Sequence, residues 1–181
     1  MFGAMTKLKH VLVTALGAGL ALRCANIHPE PEPRSSIDML IQRSQASNAA
    51  LLRGDIEQYR SLLRLAGDFT LMSPFGGKPS QGAPTPEALQ KIGKFFKNGL
   101  HEQELVHAYG TRDMVVLALI ERSRVEVGGL PSQQWALRVT LVYRREGDSW
   151  LLVHRHADPL VAPVSLTQAA KLARGEHPEE G

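Results

Sequence analysis

The stretch Trp135–Pro159, WALRVTLVYRREGDSWLLVHRHADP, decides the fold of this chain. Two apolar arms flank the polar turn Glu146–Ser149, and this pattern predicts a β-hairpin. Because side chains alternate between the two faces of a strand, the register of the hairpin determines which residues share a face. The register therefore decides which side chains line a site.

The length of the turn sets the predicted register. A two- or four-residue loop centred on Gly147-Asp148 predicts that Val142 pairs with Val153 and that Thr140 pairs with Arg155. One face then carries Arg138, Thr140, Val142, Val153 and Arg155. The other carries Trp135, Leu137, Val139, Leu141, Tyr143, Leu152, His154 and His156. An odd loop or a β-bulge would flip one strand against its partner.

Length and composition indicate one domain with short appendages. The chain has 181 residues, a formal net charge of +3 at pH 7 and a pI near 9.2. Its basic residues are scattered, and the sequence contains no arginine-rich helix or aromatic RNA-binding motif, which argues against nucleic acid as a partner. The single cysteine, Cys24, excludes an internal disulfide framework and a cysteine-rich metal site.

The first 25 residues have the layout of an export signal. A basic start precedes the apolar run Val11–Leu22, which is short for a membrane span. We therefore expect an exported protein, periplasmic or membrane-associated, with a cytoplasmic location left open. A lipoprotein signal places small residues before its cysteine, whereas Arg23 precedes Cys24 here, so lipidation and an uncleaved anchor both stay open.

The remaining chain predicts helices first and strands afterwards. Residues 26–34 form a proline-rich linker, residues 35–163 the main domain, and residues 164–181 a polar helix with a charged tail. Helices are predicted from Ser35 to Gly54, after the cap Asp55, and from Thr85-Pro86 onward. Strands are predicted at Phe69–Met72, Glu102–Tyr109, Met114–Val127, Gln134–Arg145 and Trp150–Ala157. This order predicts an α+β fold in which three helices pack on a curved antiparallel sheet, forming a cone with a cavity.

Several motifs resemble the nuclear transport factor two-like superfamily. They are the step Gly54-Asp55, a strand ending at Ser73-Pro74, and the sequence YRREGDSWLLVHRHADP of residues 143–159. The superfamily includes SnoaL-like proteins, ketosteroid isomerases and the association domain of calcium/calmodulin-dependent protein kinase. The resemblance covers residues 35–163 as an order of elements and implies a cystatin-like α+β roll. Because the superfamily hosts enzymes, binders and assembly modules, the fold alone does not specify function.

The resemblance argues against one known reaction. Ketosteroid isomerases use a carboxylate base, with a tyrosine and a protonated aspartate holding the oxyanion. The corresponding positions here are Ser73, Asn48 and Thr140. A serine cannot act as that base at neutral pH, and losing one acid–base group typically costs about 10²–10⁴-fold in rate. Another SnoaL-like reaction in the same cavity stays open.

The resemblance also implies which face of the sheet lines the cavity. The alternation alone would bury the face containing Trp135 and Tyr143 against the helices. The superfamily's phase instead directs Arg138 and Thr140 toward the cavity, which leaves a large apolar surface that a second copy would cover. We therefore predict a homodimer through the outer sheet face, with Trp135, Val139, Leu141, Tyr143, His154 and His156 at the interface.

The predicted ligand site follows from the same phase. Arg138 and Arg155 close together would bind a small anion or carboxylate, because arginine binds carboxylates bidentately and stays charged when buried. Glu121, expected opposite Thr140, would lie between them, and Tyr59 near the cavity mouth. The alternatives are that Glu121 only neutralises the arginines in a structural cluster, and that Tyr59 is an ordinary half-buried core residue.

No cofactor or metal is predicted. His154 and His156 have acceptable spacing for metal ligands, but the sequence offers no evident third ligand nearby. The predicted function is a homodimeric small-molecule-binding or assembly module without defined catalysis. The alternative is a SnoaL-like isomerase, dehydratase or hydrolase acting on a small organic substrate in the cone. A third reading is an oligomerisation scaffold with no ligand.

Overall fold

A computed structural model describes residues 33–175 of the chain. The predicted export segment and nearly all of the predicted linker lie outside these residues. The helices are α1 (Pro33–Arg53), α2 (Ile56–Leu62), α3 (Pro86–Phe95) and α4 (Leu166–Ala173). The strands are β1 (Leu65–Met72), β2 (Ser80–Gln81), β3 (Phe96–Gly110), β4 (Met114–Val127), β5 (Leu130–Glu146) and β6 (Ser149–Pro159). Within residues 33–175, no helix combines the length and apolar character that crossing a membrane requires.

Local sequence signals explain where the helices begin and end. Gly54 follows the last residue of α1 with a left-handed φ of 80°, the conformation that glycine adopts readily. The Asp55 side chain accepts a hydrogen bond from the Gln58 backbone N–H at 3.0 Å and thereby caps α2. Thr85 caps α3 in the same way, with Pro86 in the first turn. These predicted boundaries are confirmed.

The α+β fold is confirmed, but the sheet is mixed rather than wholly antiparallel. Its six strands run in the order β2-β1-β6-β5-β4-β3 and leave the sheet open. Strands β3 to β6 follow one another through short turns, so each runs opposite to the last. β1 pairs with β6 in parallel. The two strands are distant in sequence, so no tight turn forces them to run antiparallel.

The core lies between α1 and one face of the sheet, which we call the inner face. Leu40 of α1 is fully buried there against alternate residues of β4 and β5. The cluster also contains Val115, Leu117, Leu119, Leu137, Val139, Leu141, Tyr143, Trp150 and Leu152. The period-two spacing of these residues along β4 and β5 shows that simple alternation sets the buried face of these two strands.

The predicted turn of the final hairpin is confirmed, but the predicted register beyond it is wrong. Glu146 pairs with Ser149 around the two-residue loop. Further along, Val142 pairs with His154 while the next residue, Tyr143, pairs with Leu152. Val153 is therefore an extra residue on β6, a β-bulge that reverses which side chains face inward on either side of it.

The bulge sorts the predicted residues differently. Arg155 lies opposite Leu141 on the inner face, whereas Thr140 lies opposite His156 on the other, outer face. Val139, Leu141 and Tyr143 were predicted at an outer interface. They are only 3%, 2% and 4% exposed within the core, so that prediction is wrong for these three. Trp135 also packs against the core, while His154 and His156 lie on the outer face.

Candidate functional site

An ion pair occupies the inner face of the sheet. Glu121 of β4 receives two hydrogen bonds from the Arg155 guanidinium of β6, at 2.9 Å to Oε1 and 2.8 Å to Oε2. The side chains are 6% and 19% exposed respectively. This geometry is bidentate, the arrangement that gives an arginine–carboxylate pair the most specific orientation.

The helices complete the surroundings of this pair. Asn48 of α1 donates from Nδ2 to Glu121 Oε1 at 2.5 Å. Burial raises the pKa of the Tyr59 phenol, an effect that Arg155 opposes and Glu121 reinforces, which places Tyr59 of α2 within the electrostatic reach of both. The predicted residues Glu121 and Arg155 are therefore brought into contact, and Tyr59 interacts with both electrostatically.

Both charged groups of the pair are stabilised in their ionised forms. Burial alone would raise the pKa of Glu121, but the Arg155 charge and hydrogen bonds, with help from His101 and Asn48, hold it below 4.5. Burial would lower the pKa of Arg155, and Glu121 more than offsets this. Because each group compensates the other, the pair is charged internally and neutral overall.

His101 of β3 extends the polar cluster and was not predicted. Its Nδ1 lies 3.1 Å from Ser123 Oγ, and its Nε2 is buried without a hydrogen-bond partner among the described residues. Burial lowers the pKa of His101, and Glu121 and Arg155 act on it in opposite directions. The one available signal was the alternation His101, Gln103 along β3, which places both on the inner face opposite Ser123 and Glu121.

Arg138 and Thr140 do not join this cluster. Arg138 lies on the outer face, where it donates to both carboxylate oxygens of Asp158 at 3.1 and 2.5 Å. Thr140 pairs with Ala118 and His156 across the strands, so Glu121 is not opposite Thr140 as predicted but opposite Leu137. The predicted closeness of Arg138 and Arg155 is wrong, because the Val153 bulge turns Arg155 to the other face.

Of the three positions compared with the isomerases, one reaches the cluster. Asn48 contacts Glu121, whereas Thr140 lies on the outer face. Ser73 lies beyond the end of β1, and its Oγ accepts a hydrogen bond from the Phe75 backbone N–H at 3.2 Å. Because these three side chains are separated, they do not form a common site.

A groove of about 490 Å³ lies beside the loop that follows β1. It is bounded by residues 72–79 of this loop and by residues 156–159 at the end of β6. Phe75 is 54% exposed there, although its ring contacts Phe95 and Trp135 at centroid distances of 5.6 Å each. The groove also reaches Ala157, an inner-face residue two positions after Arg155.

The paired histidines of β6 lie outside the inner cluster. His154 Nδ1 is 3.1 Å from the Thr70 carbonyl oxygen, and the rings of His154 and His156 are 6.4 Å apart. In the part of the chain that the structure describes, no three His, Cys, Asp or Glu side chains are grouped as metal ligands would be.

Three solved structures are similar to this fold. A provisionally assigned dehydratase of the NTF2-like family from Streptomyces avermitilis is 24% identical with a TM-score of 0.59, over 72% of this chain and 100% of that one. An NTF2-like protein of unknown function from Pseudomonas putida is 18% identical with a TM-score of 0.54, over 75% and 92%. A provisionally assigned calcium/calmodulin-dependent protein kinase II association domain from Xanthomonas campestris is 16% identical with a TM-score of 0.53, over 75% and 93%.

No protein-family model matches the chain, and no curated protein matches it. The structural matches show that the chain has the nuclear transport factor two-like, cystatin-like α+β fold. The resemblance predicted from the final hairpin and the order of elements is therefore confirmed.

Proposed function

We propose that this protein is a small-molecule-binding module that holds its ligand at the Glu121–Arg155 pair on the inner face. The observation that carries the proposal is the bidentate, largely buried geometry of this pair. Two charges removed from water are costly to maintain, so such a pair is weak as a source of stability alone. A binding role gives a reason for its presence.

Arg155 has hydrogen-bond donors that Glu121 does not use. A guanidinium carries five N–H groups, and Glu121 accepts from Nη1 and Nη2. Among the described residues, no other group accepts a hydrogen bond from Arg155. The remaining N–H groups of Arg155 are therefore available to a polar ligand.

Glu121 is better suited to orienting Arg155 than to moving protons. Its Oε1 accepts from Arg155 and Asn48, its Oε2 accepts from Arg155, and its pKa lies below 4.5. A carboxylate that is already paired and stabilised in its charged form is a weak general base at neutral pH. Satisfied charges of this kind favour binding over catalysis.

Catalysis is the second candidate, and His101 is the observation that favours it. A neutral imidazole with a buried, unpartnered Nε2 can accept or donate a proton if a substrate lies within hydrogen-bond reach. The similarity to a protein named as a dehydratase is compatible with this role. Turnover of a bound ligand that is lost in His101→Phe would favour the enzyme. A ligand recovered unchanged would favour the binding module.

The proposal includes export and self-association. The basic and apolar pattern of the first 25 residues supports export. The outer face supports a homodimer whose interface residues differ from those predicted from the sequence. Its central strands present half-buried Val116, Ile120, Thr140 and Val142, with His154 and His156 beside them.

Affinity selection with native mass spectrometry tests the binding proposal. Purified protein is incubated with a library of small polar organic molecules, and retained masses are compared with those of Glu121→Gln/Arg155→Met. This double variant removes the site without leaving a buried charge. Arg138→Met/Asp158→Asn is the matched control, because it removes an exposed bidentate pair from the outer face. We expect ligands retained by the natural protein and the control to be lost from the site variant. Failure of the natural protein to retain any molecule, or equal retention by the site variant, would contradict the proposal.

A further inference from the structure

His101 and Ser123 form an adaptable pair beside the proposed site. They lie opposite each other on β3 and β4, and Glu121 is two positions from Ser123 on the same face. Such diagonal neighbours lie about 7–8 Å apart, within reach of a shared ligand. The buried Nε2 of His101 is the one polar side-chain atom within residues 33–175 that is sealed from solvent without a partner. Native proteins leave few such atoms unpaired, so this one calls for a physical account.

The contact between His101 Nδ1 and Ser123 Oγ is compatible with Nε2 acting either as a hydrogen-bond donor or as an acceptor. If the serine hydroxyl donates to Nδ1, the ring proton lies on Nε2, which is then a donor. If Nδ1 carries the proton and donates to Ser123 Oγ, Nε2 becomes an acceptor. A change of imidazole tautomer, in which the ring proton moves between Nε2 and Nδ1 and the serine hydroxyl rotates, therefore lets His101 meet either a hydroxyl or a carbonyl group.

The charges around His101 restrict the ligand further. Glu121 of β4 and Arg155 of β6 cancel each other, Glu102 of its own strand acts weakly, and burial favours the neutral imidazole. A carboxylate that entered this neutral surrounding would bring an uncompensated charge. Protonation of His101 would supply the missing positive charge, so an anion would bind together with a proton.

We infer that His101 Nε2 is a polar contact of the ligand, and that the ligand presents to it an uncharged hydroxyl, carbonyl or amide group rather than a carboxylate. This inference rests on the proposed binding function and changes the ligand class expected from the sequence. The expected pair of arginines would have favoured an anion. The observed site holds one arginine, and that arginine is already neutralised by Glu121.

Acetamide and acetate are suitable probes, because they have nearly the same shape and differ in charge. Protein labelled with ¹⁵N-histidine is titrated with each at pH 7.5, and the His101 ring signals are followed. We expect acetamide to shift these signals saturably. We expect acetate to bind at least about tenfold more weakly than acetamide. Acetate binding is expected to strengthen as the pH falls, with proton uptake measured by calorimetry in buffers of different ionisation enthalpy.

Two variants and a control make the test specific. His101→Phe keeps a ring and removes Nε2, so acetamide binding should be lost. His107→Phe changes an exposed histidine on the outer face of the same strand and should leave binding unchanged. If His101→Phe does not fold, Ser123→Ala serves instead, and we expect it to weaken acetamide binding several-fold.

Three results would overturn the inference. The His101 ring signals could remain unchanged when acetamide is added, acetate could bind as tightly as acetamide at pH 7.5, or acetamide binding could be unaffected by His101→Phe or Ser123→Ala. The proposed function fails separately. If Glu121→Gln/Arg155→Met abolishes retention of library ligands while His101→Phe preserves it, the binding site at Glu121 and Arg155 is supported. Only the proposed ligand contact of His101 is then rejected.

Discussion

Arg155 on β6 reaches across the full width of β5 to bind Glu121 on β4. Neighbouring strands are about 4.8 Å apart, so β4 and β6 are separated by roughly 10 Å. Arg155 lies opposite Leu141 and Glu121 lies opposite Leu137, so the contact runs diagonally across β5. The bidentate contact ties three strands together on the inner face. The proposed function depends on this pair, and loss of only one of its two charges should destabilise the fold.

Arg155→Ala should destabilise the protein strongly. The substitution leaves the Glu121 carboxylate buried without its partner, which costs about 3–5 kcal/mol in free energy of unfolding. Urea denaturation followed by circular dichroism measures this loss. Arg138→Ala breaks an exposed pair and should cost at most about 1 kcal/mol. Equal losses for the two variants would show that the inner pair is not effectively buried.

The inner pair should also tolerate removal of both charges better than removal of one. In Glu121→Gln/Arg155→Met no buried charge remains, so the loss of unfolding free energy should be clearly smaller than for Arg155→Ala. A double variant less stable than Arg155→Ala would argue that the pair itself, rather than the unpaired carboxylate, dominates the energetics.

Deletion of Val153 should leave the Glu121–Arg155 pair in place. Without the extra residue, a regular ladder still pairs His154 with Val142 and Arg155 with Leu141, so Arg155 stays on the inner face. We therefore expect the deletion to cost less than the loss of about 3–5 kcal/mol that an unpaired Glu121 carboxylate would cause. Urea denaturation measures this loss. A loss as large as that of Arg155→Ala would show that the deletion separates the pair.

Stability should depend on pH through His101. The pKa of His101 is below its ordinary value of 6.5 in the folded protein, so between that pKa and 6.5 the unfolded chain binds more protons. The contribution of neutral His101 to the free energy of unfolding is fully present above pH 6.5. It is lost as the pH falls from 6.5 through the lower pKa of the folded protein. Thermal unfolding at several pH values measures it. His101→Phe should lose less stability than the natural protein over this range, whereas a profile parallel to that of the natural protein would be inconsistent with burial of the ring. His107→Phe is the control.

Gly99 should be intolerant of a side chain. A Cβ atom at this position would lie 2.6 Å from both the Cβ and the carbonyl oxygen of Leu52 on α1. Gly99→Ala must therefore push helix and strand apart, and we expect a loss of about 1–3 kcal/mol. Gly67→Ala meets no atom within 4 Å and should stay within about 0.5 kcal/mol of the natural protein. A stable Gly99→Ala variant would place α1 farther from β3 than described.

The sequence predicted the elements well, because their signals are local. Asp55, Thr85 and Gly54 mark helix ends through backbone hydrogen bonds and a left-handed φ, and Gly147-Asp148 sets a two-residue hairpin turn. None of these depends on distant residues. The strands β1, β3, β5 and β6 extend beyond their predicted ends, since strand ends are fixed by neighbouring strands rather than by their own sequence.

The candidate site was predicted only in part, because one residue controls it. Nothing in the sequence marks Val153 as a bulge, since it continues an apolar arm in the same way as its neighbours. The bulge nevertheless brings Arg155 to Glu121 and separates Arg138 from both. The simple alternation of β5 correctly buried Val139 and Leu141, whereas the phase taken from the resemblance did not. His101 was missed because its partner Ser123 is distant in sequence and lacks a motif.

A crystal structure of the protein with a ligand recovered by affinity selection tests the central claim most directly. The proposed function predicts ligand density on the inner face, within hydrogen-bond distance of the free N–H groups of Arg155. Ligand density confined to the groove beside Phe75, with Arg155 contacting only Glu121, would contradict it.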